Sequence, residues 1–333
     1  MPGVLCVFSA QEWESHGLGR FIPCITSVPF DDGRPMNEVN RPIFAKGTVQ
    51  HVGDTVAVVV ADTLSQASAA AEAVQVEYDE LPCVVDIVQA LDANAPVIHE
   101  SLGTNVVYEA STGDRIATTR AFQQAAHTTE LIMRNARVTG SPMEPRACVG
   151  EYNARRDSYT LHASTQFPHA IARWLAEETL RISMRKVRVV APDVGGGFGT
   201  KGYYYMEYAV VLWAARLIGR AVRFTATRSE TMANDTHARD HYTKARMAFD
   251  EQGVVLGIEV DTVAAFGAYQ NQFNAFLPSR YFPLVMTGLY KTEAMHVKVT
   301  GVYTNTSPID AYRGGTQTAT SVRERLIDNG AME

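Results

Sequence analysis

Residues 193–202 read DVGGGFGTKG: five glycines in ten positions, with a single Phe among them. A stretch this rich in glycine marks a loop whose backbone must come close to something. Its neighbours set its place in the fold. VRVVAPDV (187–194) reads as a strand that delivers the chain into the loop. YYYMEYAVVLWAARLIG (203–219) reads as a largely apolar helix, and Gly219 suits its C-terminus. The unit is therefore strand, glycine loop, helix.

Three readings of the loop compete on residues alone. A phosphate loop needs GxxxxGK[ST], with Gly directly before Lys. Here Thr200 precedes Lys201, so that pattern fails. A dinucleotide fingerprint, GxGxxG, is satisfied by Gly197, Gly199 and Gly202. Against it, Pro192 and Asp193 separate strand from glycines. The next strand reads VRFTATR and ends on no acidic residue for the ribose hydroxyls. The third reading is a tight turn that lets helix and sheet pack closely.

Working outward, CVGEYNARRDSYTLHAST (148–165) reads as a hairpin turning over the polar residues 153–158. Pro168 opens a helix to about residue 180, with Ile171, Trp174 and Leu175 at helical spacing. KARMAFDEQGVVLGIEVD (244–261) is a second hairpin turning near Gly253. AMHVKVTGVYTN (294–305) is a strand that runs toward a last helix. Upstream, TVAVVVAD (55–62) reads as a strand buried on both faces, followed by an alanine-rich helix with Thr63 and Gln66 in capping-box spacing. AVQVEYDEL (73–81) turns back toward strand, and residues 86–113 read as looser chain. Hairpins mixed with helices, without strict βαβα alternation, imply an α+β fold.

The 333 residues are 46% hydrophobic and 20% charged, with a net charge of -6. That is ordinary globular composition, and the acidic balance argues against nucleic acid. Cys6, Cys24, Cys83 and Cys148 are scattered, with no CxxC, so four reduced thiols in a cytoplasmic protein are expected. No apolar stretch is long enough for a membrane span, and the first residues lack the pattern of a secretory signal.

Three segments in this order and spacing carry a resemblance: SPMEPRACVGEY (141–152), DVGGGFGTK (193–201) and AYRGGTQTAT (311–320). Together they resemble the large, molybdopterin-binding subunit of the xanthine dehydrogenase/aldehyde oxidase family of molybdenum hydroxylases. VGDTVAVVVADTLSQASAAAEAVQVEYDELP (52–82) is similar to the family's α/β hammerhead domain. The resemblance implies a partial hammerhead domain over 1–90, a linker over 91–113 and the first molybdopterin-binding domain over 114–333. It implies a molybdenum–molybdopterin cofactor, in the cytosine dinucleotide form, with no protein side chain on the metal. It also implies separate iron–sulfur and FAD subunits, this chain holding neither group, and a small-molecule substrate.

The same resemblance gives residues roles. Within ASTQFPHA (163–170), Gln166 would donate a hydrogen bond to the molybdenum oxo group; without the family match, a solvent-facing Gln at a helix start is the plainer reading. Gly196, Gly197, Phe198 and Gly199 would present backbone at the cofactor. Arg313 would lie at the substrate end, although an ordinary ion-paired Arg is the alternative. The MEPR segment (143–146) would position the cofactor domain without chemistry. Gly202 stands where purine-hydroxylating members carry Glu, and Gly314 where copper-containing carbon monoxide dehydrogenases carry Cys, which disfavours both substrates. The arginine loop is one residue shorter than the family pattern.

The general-base Glu of the family is expected outside this chain, along with the second molybdopterin-binding domain. The expectation is an internal or amino-terminal portion of a hydroxylase of aldehydes or aromatic N-heterocycles. The alternatives are a non-catalytic assembly or cofactor-binding subunit, or a gene fragment, and, from another class, a nicotinamide dinucleotide oxidoreductase resting on the GxGxxG match alone.

Overall fold

The computed structural model describes Met1–Glu333. The chain forms two compact units, each assembled from three segments. The first holds Met1–Pro23, Asn40–Leu81 and Gly140–Asp235; the second holds Cys24–Val39, Pro82–Thr139 and Thr236–Glu333. The secondary structure is mixed α and β, as the α+β expectation required.

The first unit carries a four-stranded sheet. Its order is Val187–Val190, Ser158–Ala163, Ala147–Asn153, Val222–Thr225. The central pair is the expected hairpin, antiparallel from Cys148 opposite Ala163 to Asn153 opposite Ser158. Asn153 Oδ1 accepts from the Arg156 N–H to close its turn. The helix Met206–Ile218 packs on this sheet with nine buried residues and ends at Gly219, whose left-handed φ of 68° lets its N–H reach the Ala215 carbonyl. Packing is backbone-close at Gly150: a Cβ there would lie 2.6 Å from the Val211 carbonyl carbon. Tyr203–Tyr205, read above as helix, precede it in extended conformation and are buried. The helix opened by Pro168 runs to Trp174 and continues as a π-helical segment, Leu175–Leu180.

A two-stranded sheet, Val4–Phe8 with Val58–Ala61, belongs to the same unit. Of its valines only Val60 is buried, so the strand is not enclosed on both faces as its apolar run suggested. Thr63 caps the helix Leu64–Glu72 by accepting from the Gln66 N–H. Residues 73–81 form no strand and are solvent-exposed throughout. Their alternation of Val74, Val76 and Tyr78 suits a strand, but a strand needs a ladder partner, and none lies alongside.

The second unit is built on a five-stranded sheet in the order Val106–Gly113, Ala294–Tyr303, Val255–Gly267, His241–Phe249, His127–Asn135. Val255–Gly267 and Ala294–Tyr303 run parallel; the other neighbours are antiparallel. The 244–261 hairpin thus extends further at both ends than its sequence signal. Residues 86–113, read as loose chain, include the edge strand Val106–Gly113, whose Val107 and Tyr108 are fully buried. Polar Asn105 masks that strand in the sequence; it is itself buried, donating to Ala90 and Pro96 carbonyls. The C-terminal helix Thr316–Met332 adds Ala319, Val322 and Leu326 to the core.

Candidate active site around the glycine loop

The loop is folded by its own glycines. Gly196 and Gly199 have φ of 94° and 102°, a region closed to most side chains. Phe198 between them also lies in the left-handed region, at φ 53°. For a bulky aromatic this is an outlier of the kind that clusters at functional sites. The Gly197 carbonyl accepts from both Thr200 N–H and Thr200 Oγ, which turns the chain back toward the helix.

Gln166 is joined to this loop. Its Oε1 accepts from the Gly199 N–H at 2.9 Å, and a Cβ on Gly197 would come within 2.4 Å of the same oxygen. Gln166 backbone N–H bonds the Lys201 carbonyl, fixing the hairpin end to the loop's far side. With Oε1 engaged by a backbone donor, the amide orientation is determined: Nε2 keeps both hydrogens for an outside acceptor. Gln166 is exposed, as is Phe198. Gln166, Gly196, Gly197, Phe198 and Gly199 are therefore brought together. Arg313 lies in the second unit, exposed, in the segment before the C-terminal helix, with φ 53° and its carbonyl accepting from Gln317 Nε2.

The loop is anchored by a cluster that the sequence did not single out. Glu144 Oε2 accepts from Lys201 Nζ at 2.6 Å, Ser164 Oγ at 2.7 Å and the Gly195 N–H at 2.7 Å. One carboxylate oxygen thus ties the MEPR segment, the hairpin end and both ends of the loop. Burial raises the Glu144 carboxyl, but the bonds from Lys201, Ser164 and Gly195 outweigh it and hold it below the usual glutamate range. The Lys201 side chain is 0% exposed, so this ion pair neutralises a charge that has no access to water. A Lys set between a glycine loop and the apolar YYYM run was the available signal: burial there demands a carboxylate.

Arg146 of the same segment is 1% exposed. It pairs with Asp235 at 2.5 Å and with Glu207, and its guanidinium sits 3.8 Å from the Tyr205 ring centroid. It clamps the apolar helix and residue 235 to the sheet behind the loop.

The chemistry available is that of a donor surface. Bare backbone and the Gln166 amide offer hydrogen bonds to an oxygen-bearing group. Glu144 touches the loop but is neutralised by Lys201, so it presents no net repulsion to an anionic cofactor. A metal held by its own organic ligand fits this surface, which offers donors to the oxygens of such a group.

Comparison with known proteins gives the family of the chain. Residues 98–333 match the molybdopterin cofactor-binding domain, and residues 1–82 match the a/b hammerhead domain of aldehyde oxidase and xanthine dehydrogenase. The chain is 34% identical to the carbon monoxide dehydrogenase large chain of Hydrogenophaga pseudoflava, over 98% of this chain and 41% of that one. It is 28% identical to the nicotine 6-hydroxylase large subunit of Paenarthrobacter nicotinovorans, over 100% of this chain and 40% of the relative. The crystal structure of quinoline 2-oxidoreductase from Pseudomonas putida 86 superposes with a TM-score of 0.91 at 32% identity, covering 100% of this chain and 41% of that chain. The chain spans about two fifths of the length of these relatives.

Proposed function

The chain belongs to the molybdopterin-binding subunits of the xanthine dehydrogenase and aldehyde oxidase family, and from that premise we propose that its glycine loop and Gln166 form one wall of a molybdenum hydroxylase active site. The observation that carries this reading is the Gln166 amide joined to the loop, its Oε1 accepting from the Gly199 N–H, which leaves Nε2 to donate elsewhere.

When bound, the cofactor supplies an electron-accepting metal that can pass an oxygen from water to an electron-poor carbon. Gln166 Nε2 would donate a hydrogen bond to an oxygen of that group, and its engaged Oε1 would keep the amide from flipping. Gly196 and Gly197 let backbone approach where a Cβ would collide with Phe198, Pro142 or Gln166. Glu144 and Lys201 keep the loop in this shape. Arg313 holds a substrate oxygen or carboxylate through its planar fork.

The reaction class is oxidative hydroxylation of an aldehyde or aromatic N-heterocycle, with electrons leaving to iron–sulfur and FAD subunits in the cytoplasm. Relatives named for nicotine and quinoline favour the N-heterocycle. Gly314, in place of Cys, disfavours carbon monoxide despite the 34% identity to a carbon monoxide dehydrogenase chain. The cofactor is proposed in its cytosine dinucleotide form.

The test is co-purification of the chain with the products of its neighbouring genes, followed by assay of molybdenum, pterin and nicotinamide. Molybdenum with pterin is expected. Bound nicotinamide without molybdenum would sink the proposal, and the absence of all three would point to a scaffold.

A further inference from the structure

Three glycines of the loop, Gly195, Gly197 and Gly202, lie outside the left-handed region, so backbone conformation does not demand glycine at them. Space demands it instead. A Cβ on each would meet one side chain brought from another segment: Glu144 at Gly195, Gln166 at Gly197 and Phe167 at Gly202. The first two contacts belong to the anchor and to the amide described above. The third has no part in either. At Gly202 the added Cβ would lie 3.0 Å from Phe167 Cε2 and 3.3 Å from Cδ2, so the missing side chain makes the seat on which the ring rests.

The backbone of Phe167 is fixed. Its N–H donates to Thr165 Oγ1 at 3.3 Å, and its carbonyl accepts from the Ile171 N–H. Pro168 follows and restricts it further. Gly202 beneath the ring is buried, yet Phe167 itself is 45% exposed. A large apolar surface is thus left open on a loop that otherwise offers hydrogen-bond donors. Ring and amide are also close together. The Gly202 N–H bonds the Gly199 carbonyl, and the Gly199 N–H holds Gln166 Oε1. Their two seats are therefore one 3₁₀ turn apart, about 6 Å of rise.

We propose that Phe167 is a substrate-contact residue, its exposed ring packing against the flat ring of an aromatic N-heterocycle. This rests on the hydroxylase reading above and narrows it, favouring aromatic substrates over aliphatic aldehydes. The face of a phenyl ring is electron-rich, which suits an electron-poor heterocycle, and such ring pairs adopt offset or edge contacts at centroid separations of about 4.5–7 Å. Gly202 acts through Phe167: it is the positioning residue that lets the ring lie against the loop.

The test is equilibrium binding of benzamide and of acetamide to the loaded assembly at equal molybdenum content. The two ligands share an amide group and differ by the aromatic ring. The parent should bind benzamide more tightly. Phe167→Ala should weaken benzamide about tenfold and leave acetamide unchanged, whereas Phe167→Tyr should keep most of the benzamide affinity. Gly202→Ala, which pushes the ring off its seat, should lose part of it. With isoquinoline as reactant, Phe167→Ala should raise KM more than it lowers kcat. Should Phe167→Ala not fold, Phe167→Leu gives the same comparison with an aliphatic side chain in place of the ring. Equal affinity of the parent for both amides, or a loss in Phe167→Ala that is the same for both, overturns the ring contact while leaving turnover to support the hydroxylase reading. A loaded parent that hydroxylates neither isoquinoline nor an aldehyde overturns that reading, and the ring contact with it.

Discussion

One oxygen of Glu144 accepts three hydrogen bonds, and one of the donors is a lysine with no access to water. Glu144→Gln leaves that charge uncompensated. Breaking a fully buried pair costs about 3–5 kcal/mol, and the partial exposure of Glu144 brings the expectation to about 1–3 kcal/mol, read as a lower melting temperature. The pH dependence has a definite sign. A carboxyl held low in the folded state stabilises it fully above the unfolded value, about 4.3, and that contribution is lost as pH falls through the lower folded value. The parent's melting temperature should therefore drop more steeply than that of Glu144→Gln as pH falls below about 4.3. Parallel curves would remove Glu144 from the anchor. Gly197→Ala makes a different prediction. Its Cβ would displace the far end of Gln166, so turnover should fall, as is expected of Gln166→Ala, while metal content stays constant. Normal turnover in Gly197→Ala would mean that the amide position is not needed. At this scale the sequence pointed to Gln166 and the glycines through their motif company. Lys201 entered only as a failed phosphate-loop residue, because its partner lies 57 positions away and pairing across that distance leaves no local pattern.

Elements with a local cause were legible. The Pro168 helix start, the Gly219 stop and the Asn153–Asp157 turn each rest on residues within a few positions of one another. Elements that depend on distant partners were not. Val106–Gly113 is a strand because Ala294–Tyr303 pairs with it. Residues 73–81 have a strand-like alternation and no ladder. In hydrogen exchange on this chain, amides 74–81 should exchange at near-unprotected rates while those of Val255–Gly267 stay protected. Protection of 74–81 would show that they do pair. Between sheet and helix, Gly150 is the tightest point: Gly150→Ala would press a methyl onto the Val211–Leu212 backbone, which cannot yield as a side-chain tip can. A loss of about 1–3 kcal/mol in denaturant unfolding is expected, and no loss would mean that the helix sits further out.

For the molecule as a whole, the family could be read from three short segments and the α+β class from hairpins mixed with helices, whereas the division into two units could not. Each unit draws on segments far apart in the chain, such as Met1–Pro23 with Gly140–Asp235. No local composition change marks such interleaving. The chain covers 41% of its carbon monoxide dehydrogenase relative. The central claim, that the Gln166 amide faces the molybdenum centre, is tested most directly by the Mo(V) electron paramagnetic resonance spectrum of the loaded assembly, compared between the parent and Gln166→Ala at equal metal content. The account predicts an altered spectrum and turnover lower by about 10²–10³, the usual effect of losing one donor at a charged centre. An identical spectrum with unchanged turnover would place Gln166, and with it the glycine loop, away from the metal.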